Sequence, residues 1–386
     1  MRVIVTYGRN PKTLAVVRSL GKAGHTVHVS DDLNGPISSY SKYCSGFLKI
    51  VSPSENPTRF ISTLADYARQ NRIQLMIPMD DPECDLLTEQ AHHLPSDLKV
   101  AMPDREAYST ARDKWKTVLL AREMGIPVPH SELIGSFEQV HELGKHLGTP
   151  FIVKPRMGSG SRGVILVREE SDANSIQQTI DRFGAMIAQE FIPRRESIGV
   201  SCLAHHGELR ALFTHRRLLE FPESGGPSII RESFRHAIAE KYAVQLMERL
   251  KWHGVAMVEF RIDDRTGDPV LMEVNPRFWG SLPLAIQCGV DFPALLCAMY
   301  ERGDVPHTSD YPVGKVCIRL IPNGIASIAS KGGLSRMASI ARHSLECRCF
   351  DVESVTDPWP MVGGIISLME MSTNRVSYSK FYERGN

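Results

Sequence analysis

The run Val270-Leu-Met-Glu-Val-Asn-Pro-Arg-Phe-Trp-Gly280 restricts this chain more than any other stretch. Val270 to Val274 is short, largely apolar and alternates little, the pattern of a buried strand. Glu273 and Asn275 are two residues apart, so a strand points both side chains to one face. Glu259 lies fourteen residues before Glu273 on Val255 to Ile262, which also reads as a strand, and a turn over Asp264 to Asp268 sets the two side by side. Two carboxylates and an amide oxygen on one sheet face make a hard-oxygen site suited to Mg²⁺. Arg277 adds a positive charge at the rim, where a phosphate or carboxylate is held bidentately. An ordinary acidic surface hairpin would have the same local sequence, and the rest of the chain decides between the two.

With 386 residues the chain is too long for one simple core and suggests two or three domains. Its 45 basic and 44 acidic residues nearly cancel, which removes any bulk argument for nucleic acid or a membrane surface. The amino terminus, Met1 to Gly8, reads as a short strand rather than a signal peptide, and Pro360 to Met371, the nearest approach to a membrane span, is too short for one. Eight scattered cysteines without a C-x-x-C pair point to reduced thiols in a cytoplasmic protein. Cys347 and Cys349 form the one close pair, and an exposed redox couple there is the alternative.

Arg2 to Thr6 reads as a strand, Pro11 to Ala23 as a helix stopped by Gly24, and Thr26 to Ser30 as a second strand. A helix over Asn56 to Gln70 and a strand over Ile73 to Pro78 complete a β-α-β-α-β order, which predicts a parallel sheet with right-handed crossovers. The first loop, Tyr7 to Lys12, lacks the G-x-G-x-x-G fingerprint, so a Rossmann-like scaffold that binds no NAD is expected. Asp113 to Met124 is an amphipathic helix. Phe151-Ile-Val-Lys-Pro155 is a strand, Met157 to Gly163 a glycine-rich loop and Val164 to Val167 the returning strand. Glycines 158, 160 and 163 let backbone N–H groups approach an anion, although no G-K-[ST] follows and the loop is not a Walker motif. A helix over Ser171 to Arg182, a strand over Met186 to Phe191, two strands about the turn His206-Gly-Glu208, and a Gly225-Gly-Pro-Ser228 loop come next. A helix from Ser233 to Lys251 precedes the Glu259 and Glu273 strands. Two short helices over Ser281 to Arg302 and a strand over Val313 to Leu320 close the readable part.

This order resembles the ATP-grasp superfamily, in particular its carboxylate–amine ligases and the related biotin carboxylase and carbamoyl phosphate synthetase modules. The likeness runs over roughly residues 1 to 320. It implies that Lys114 and Lys154 reach the ATP phosphates, with Lys116 a competitor for the first position. It implies that Gly158, Ser159, Gly160 and Gly163 close over the β- and γ-phosphates, with Arg162 beside them. Gln189, Glu190, Phe191 and Ile192 resemble the hinge that holds adenine, and Glu196 is the choice for the ribose hydroxyls, a local ion pair with Arg194 or Arg195 being the alternative. Glu259, Glu273 and Asn275 would carry Mg²⁺, for which Mn²⁺ could substitute. Arg277 would stabilise the transferred phosphoryl group or a tetrahedral adduct.

The expected fold is therefore α/β (α+β in the lid and C-terminal parts), with ATP-grasp architecture. A Rossmann-like domain spans residues 1–112, a lid 113–192, a catalytic subdomain 193–322, and an extension of undetermined role 323–386. The expected activity is amide formation from ATP through an acyl phosphate, with small-molecule carboxylate and amine substrates, no nucleic acid or membrane partner, and room for a homodimer. Arg231 is the expected carboxylate clamp, against a plain surface turn. Phe278 and Trp279 either line a substrate pocket or pack in the core, and Asp80-Asp81 either hold an amino group or cap a helix. A bicarbonate or thiol acceptor, a non-catalytic nucleotide-binding module and a dehydrogenase are the competing readings.

Overall fold

The computed structural model describes residues 1–136, 139, 143, 146–158, 160, 162–168, 173–221, 226–330, 332–345, 347 and 349–373. The expected loop residue Ser159, as well as Gly225 and residues 374–386, lie outside them.

Apolar β-branched runs at the amino terminus form a parallel sheet. Strands β1 (Arg2–Val5), β2 (Thr26–Asp31), β3 (Cys44–Lys49), β4 (Leu75–Ile77) and β5 (Lys99–Val100) lie in the order β3-β2-β1-β4-β5. Helix α1 (Pro11–Lys22) starts where Asn10 accepts from the Lys12 N–H and proline occupies the first turn, so neither residue wastes a helical donor. Helix α2 (Pro57–Asn71) repeats the device with Asn56 and Pro57. Helix α3 (Asp81–Gln90) follows N-cap Asp80, whose backbone N–H donates to Glu83. Asp80 thus caps a helix, the second of its two expected roles. The β3 and β5 edges were not expected from the sequence; both strands are short or of mixed polarity.

Helices α4 (Arg105–Arg112) and α5 (Lys114–Glu123) lead into an antiparallel four-stranded sheet, β6-β9-β7-β8. Its strands are β6 (Ser131–Ile134), β7 (Phe151–Pro155), β8 (Ile165–Val167) and β9 (Met186–Glu190), backed by the helix Ala173–Phe183. Ile134, Phe151, Val153, Val167, Ile176 and Met186 make its own small core.

The third sheet has seven strands in the order β14-β13-β10-β11-β12-β15-β16. Strands β10 (Arg194–His205), β11 (Glu208–Glu220), β12 (Ser228–Phe234), β13 (Gly254–Asp263), β14 (Pro269–Asn275) and β15 (Val316–Ile318) pair antiparallel, and β16 (Cys349–Phe350) adds in parallel. One expectation is corrected here: Ser233 belongs to β12, and the helix begins only at Ala237, where the His236 ring accepts from the Ala239 N–H. The main core joins the β1, β2 and β4 faces to Trp279, Leu282, Phe292 and the β11–β12 face, so the parallel sheet and the large sheet share one interior. The tail is part of this body: β16 extends the large sheet, and the helix Trp359–Thr373 packs against the short turn Ile37–Tyr40.

All eight cysteines are free thiols. Cys347 and Cys349 are buried, not exposed, and Cys349 faces Cys317 on the neighbouring strand. No described helix is long and apolar enough to cross a membrane.

Candidate active site

Register does most of the assembly. On the antiparallel β13–β14 pair Glu259 stands opposite Glu273, and Met257 opposite Asn275. The Asn275 amide lies 3.1 Å from Glu259 Oε1 and 3.3 Å from Glu273 Oε1, so the three oxygen-bearing side chains converge. The amide faces both carboxylates nitrogen-first, and a half-turn of the side chain presents its oxygen instead. Two half-buried carboxylates side by side repel one another unless cations intervene. Here Lys114 Nζ approaches Glu273 Oε2 at 3.2 Å and Arg217 Nη2 approaches Glu259 Oε2 at 2.5 Å. Burial raises the Glu259 carboxyl above its usual range against the pull of Arg217, and Glu273 adds to the rise. At Glu273 burial acts in the same direction, but Lys114 and then Lys154 overcome it and hold the group at about 2. Clustered hard oxygen donors carrying net negative charge fit a divalent cation of the Mg²⁺ kind.

Lys114 is placed by its helix. Asp113 caps α5 by accepting from the Trp115 N–H and receives Arg156 from the end of β7. Lys114 itself donates its backbone N–H to Arg156 O and its ammonium to Gly158 O at 2.9 Å. Its competitor Lys116 points away to Ser109 Oγ. Lys154, on β7, is 7% exposed, and burial followed by the Lys114 charge lowers it to about 7.

These groups line one cavity of about 290 Å³. Gly158, Gly160 and Arg162 contribute the loop side, and Gln189 and Glu190 the hinge side; Phe191 and Ile192 are not among its lining residues. Gln189 is buried, donates to Ser131 Oγ, and leaves its Oε1 without a partner among the described residues. The Glu190 backbone N–H bonds to His130 O at 2.8 Å, which ties the end of β9 to the segment before β6. Gly163 packs the loop base: its φ is +70°, and a Cβ there would lie 2.9 Å from both Pro155 Cγ and the Phe183 ring. Glu196 is paired with Arg216 at 2.9 Å.

The cavity is also lined by residues that the sequence reading missed: Arg217, His215, Ser281 and Arg319. Burial, helped by Arg217 and Arg231, lowers His215 to about 3, so its ring is neutral near pH 7. It lies across Gly199, where any Cβ would sit 2.3 Å from its Cε1. Arg319 donates to Gly280 O and to Asp351, both at 2.7 Å. Arg231 is corrected: it is fully buried, paired to Asp351 and Cys317 Sγ, and absent from the cavity wall. It acts on the cavity through the Asp351 that it shares with Arg319. Arg277 does line the cavity, gripped by Asp81 at 2.5 and 3.1 Å across from the parallel sheet. Trp279 touches the cavity, yet it and Phe278 are 1% exposed and belong to the core.

Residues 111–281 match the family model of the ATP-grasp domain. A probable α-L-glutamate ligase from Haemophilus influenzae (strain ATCC 51907 / DSM 11121 / KW20 / Rd) is 36% identical over 98 residues, which cover 25% of this chain and 32% of that protein. The chain thus spans only about a third of the length of such relatives. A D-alanine–D-alanine ligase from Acidiphilium cryptum is 28% identical over 216 residues, 51% of this chain and 68% of that one. Among solved structures, a biotin carboxylase–β,γ-ATP complex from Campylobacter jejuni superposes with a TM-score of 0.67 at 19% identity, covering 82% of this chain and 74% of that one. An L-amino acid ligase from Bacillus licheniformis gives 0.62 at 15% identity, covering 78% and 74%. These two likenesses are of fold.

Proposed function

We propose that this chain is an ATP- and Mg²⁺-dependent carboxylate–amine ligase acting on an amino acid or similar small metabolite. The observation that carries the reading is the convergence of Glu259, Glu273 and Asn275 with Lys114 and Lys154 on one cavity that Arg217, Arg277 and Arg319 also line. Lys114, Lys154 and the backbone of Gly158 and Gly160 hold the phosphates, and Gln189 and Glu190 border the adenine. Phe191 and Ile192 continue that hinge, and Glu196 remains the candidate for ribose. Residues 1–112, 113–192 and 193–322 are the proposed Rossmann-like, lid and catalytic units.

The substrate carboxylate oxygen attacks the γ-phosphorus; the bond to ADP breaks and an acyl phosphate forms. An amine then attacks the acyl carbon, the C–O bond to phosphate breaks, and the amine loses a proton as the amide forms. Mg²⁺, held by Glu259, Glu273 and Asn275, would neutralise the terminal phosphates. The protein supplies position and preorganised charge, so no covalent nucleophile is needed. Arg277 faces the developing phosphoryl charge. Arg319 and Arg217 take over the carboxylate-clamping role first expected of Arg231, because their guanidinium groups reach the cavity. The amino acids named in the glutamate, D-alanine and L-amino acid ligases support an amino acid substrate here.

The test is ADP release with ATP and Mg²⁺ against pools of amino acids and small carboxylates, with Glu273→Ala alongside. Substrate-dependent ADP that disappears in the folded variant is expected. Undiminished turnover in Glu273→Ala would remove the metal assignment, and ATP binding with silence in every pool would favour a non-catalytic nucleotide module.

A further inference from the structure

A second cluster of metal-binding side chains lies at the other end of the strands that carry the active site. The β10–β11 turn is His205-His206-Gly207, and the loop entering β13 is Lys251-Trp252-His253-Gly254. Both turns use left-handed backbone, at His206 (φ 50°), Gly207 (φ 96°), Lys251 (φ 46°) and Gly254 (φ 102°). They are clamped together: the Gly207 N–H donates to Trp252 O at 2.7 Å, and Trp252 is fully buried, anchoring the second turn in the core. A Cβ on Gly207 would lie 3.3 Å from Glu248 O and Lys251 Cα, so the contact needs glycine.

This clamp brings three imidazoles together. One ligating nitrogen from each of His205, His206 and His253 lies within 4.8 Å of the others. Ring centroids are 4.8 Å apart for His205 and His206, 5.3 Å for His205 and His253, and 4.4 Å for His206 and His253. His253 Nδ1 is buried and has no hydrogen-bond partner among the described residues, an arrangement that costs free energy unless something binds there. Asp304 Oδ1 lies 3.6 Å from His205 Nδ1 and is itself gripped by Arg210 at 2.6 and 2.7 Å. Such an outer carboxylate fixes the orientation of a ligating imidazole.

We propose that His205, His206 and His253 bind one borderline divalent transition metal, of the Zn²⁺ class, with Asp304 orienting His205. Three neutral imidazoles suit such an ion and suit Mg²⁺ poorly. Zinc–nitrogen bonds of about 2.0–2.1 Å in tetrahedral array place ligand atoms roughly 3.3 Å apart. Rotation of the exposed His206 side chain supplies the closure. Six residue steps of extended chain lead from His253 to Glu259, about 20 Å, so the ion is distinct from any at the nucleotide site. It would staple the hairpin tip to the turn before β13, at the foot of the strands bearing Glu259 and its neighbours.

The experiment is equilibrium dialysis of the tag-free, chelator-stripped full chain against Zn²⁺, with thermal unfolding and the visible spectrum of the Co²⁺ form as second readouts. One equivalent bound, a raised Tm and a tetrahedral Co²⁺ spectrum are expected. His206→Asn, which keeps a residue tolerant of left-handed backbone, and His253→Gln should each remove the equivalent. Asp304→Asn should weaken it about 10- to 100-fold, and Glu273→Gln should leave it unchanged. Stoichiometric binding that survives in His206→Asn, loss in Glu273→Gln, or no Zn²⁺ bound by the parent chain would each overturn the proposal.

Discussion

Lys154 places an ammonium among buried neighbours of both signs, and the consequence is a pH dependence of nucleotide binding. Burial and Lys114 lower it to about 7 in the unliganded chain. Phosphate oxygens favour the charged form, so ATP raises this pKa on binding. Affinity is then fully expressed below about 7 and declines, by at most tenfold per pH unit, as pH rises from there toward the bound-state value. Lys154→Arg keeps its charge throughout and should flatten the profile between pH 7 and 9. ATP titrations of both proteins across that range provide the check; superimposable slopes would remove Lys154 from the phosphate site.

Among the elements, α5 shows how a cap becomes part of a site. Asp113 satisfies the Trp115 N–H, binds Arg156 and sets the start of the helix whose first residue is Lys114. Asp113→Ala should cost roughly 1 kcal/mol of stability as a lost cap, and should raise KM for ATP more than it lowers kcat. A shift in denaturation midpoint with unchanged KM would limit Asp113 to a structural role. The Asp-Lys pair was legible because it is local, as were β13, β14 and the spacing of Glu273 and Asn275, which a two-residue strand period dictates. Strand β12 was not: Arg231 follows Ile229-Ile230 and disguises a strand whose centre is buried, since the compensating Asp351 is 120 residues away. Arg217, His215 and Arg319 were missed for the same reason. Each reaches the cavity through the register of strands far apart in sequence, and no spacing rule links β11 to β15. The histidine turns held a visible signal, His-His-Gly and Trp-His-Gly, but their meeting depends on the β10–β13 pairing.

At the scale of the whole molecule, charge pairs carry the junctions between sheets. Arg277 on the large-sheet side grips Asp81 on the parallel-sheet side, and Lys12 of α1 donates to Phe278 O. The tail closes the structure in the same manner: Asp357 receives Arg18 of α1 at 2.8 Å and accepts from Ser41 Oγ, while Asp351 neutralises both Arg231 and Arg319. Arg231 has no exposure at all, and its Nε and Nη1 have no acceptor among the described residues. Its charge is therefore sustained largely by a residue from the extension whose role the sequence left open. Removing one partner of a buried pair costs about 3–5 kcal/mol, a large share of the roughly 5–15 kcal/mol that holds a typical domain together. A chain ending at residue 345 loses Asp351, Asp357 and β16 at once. It should unfold at a much lower urea concentration than the full chain, or fail to fold, and replacing Asp351 alone by alanine should account for several kcal/mol of that loss. If the shortened chain unfolds at the same midpoint and still binds ATP, residues 346–373 are an appendage, and the Arg319 posture in the cavity must be held by something other than Asp351.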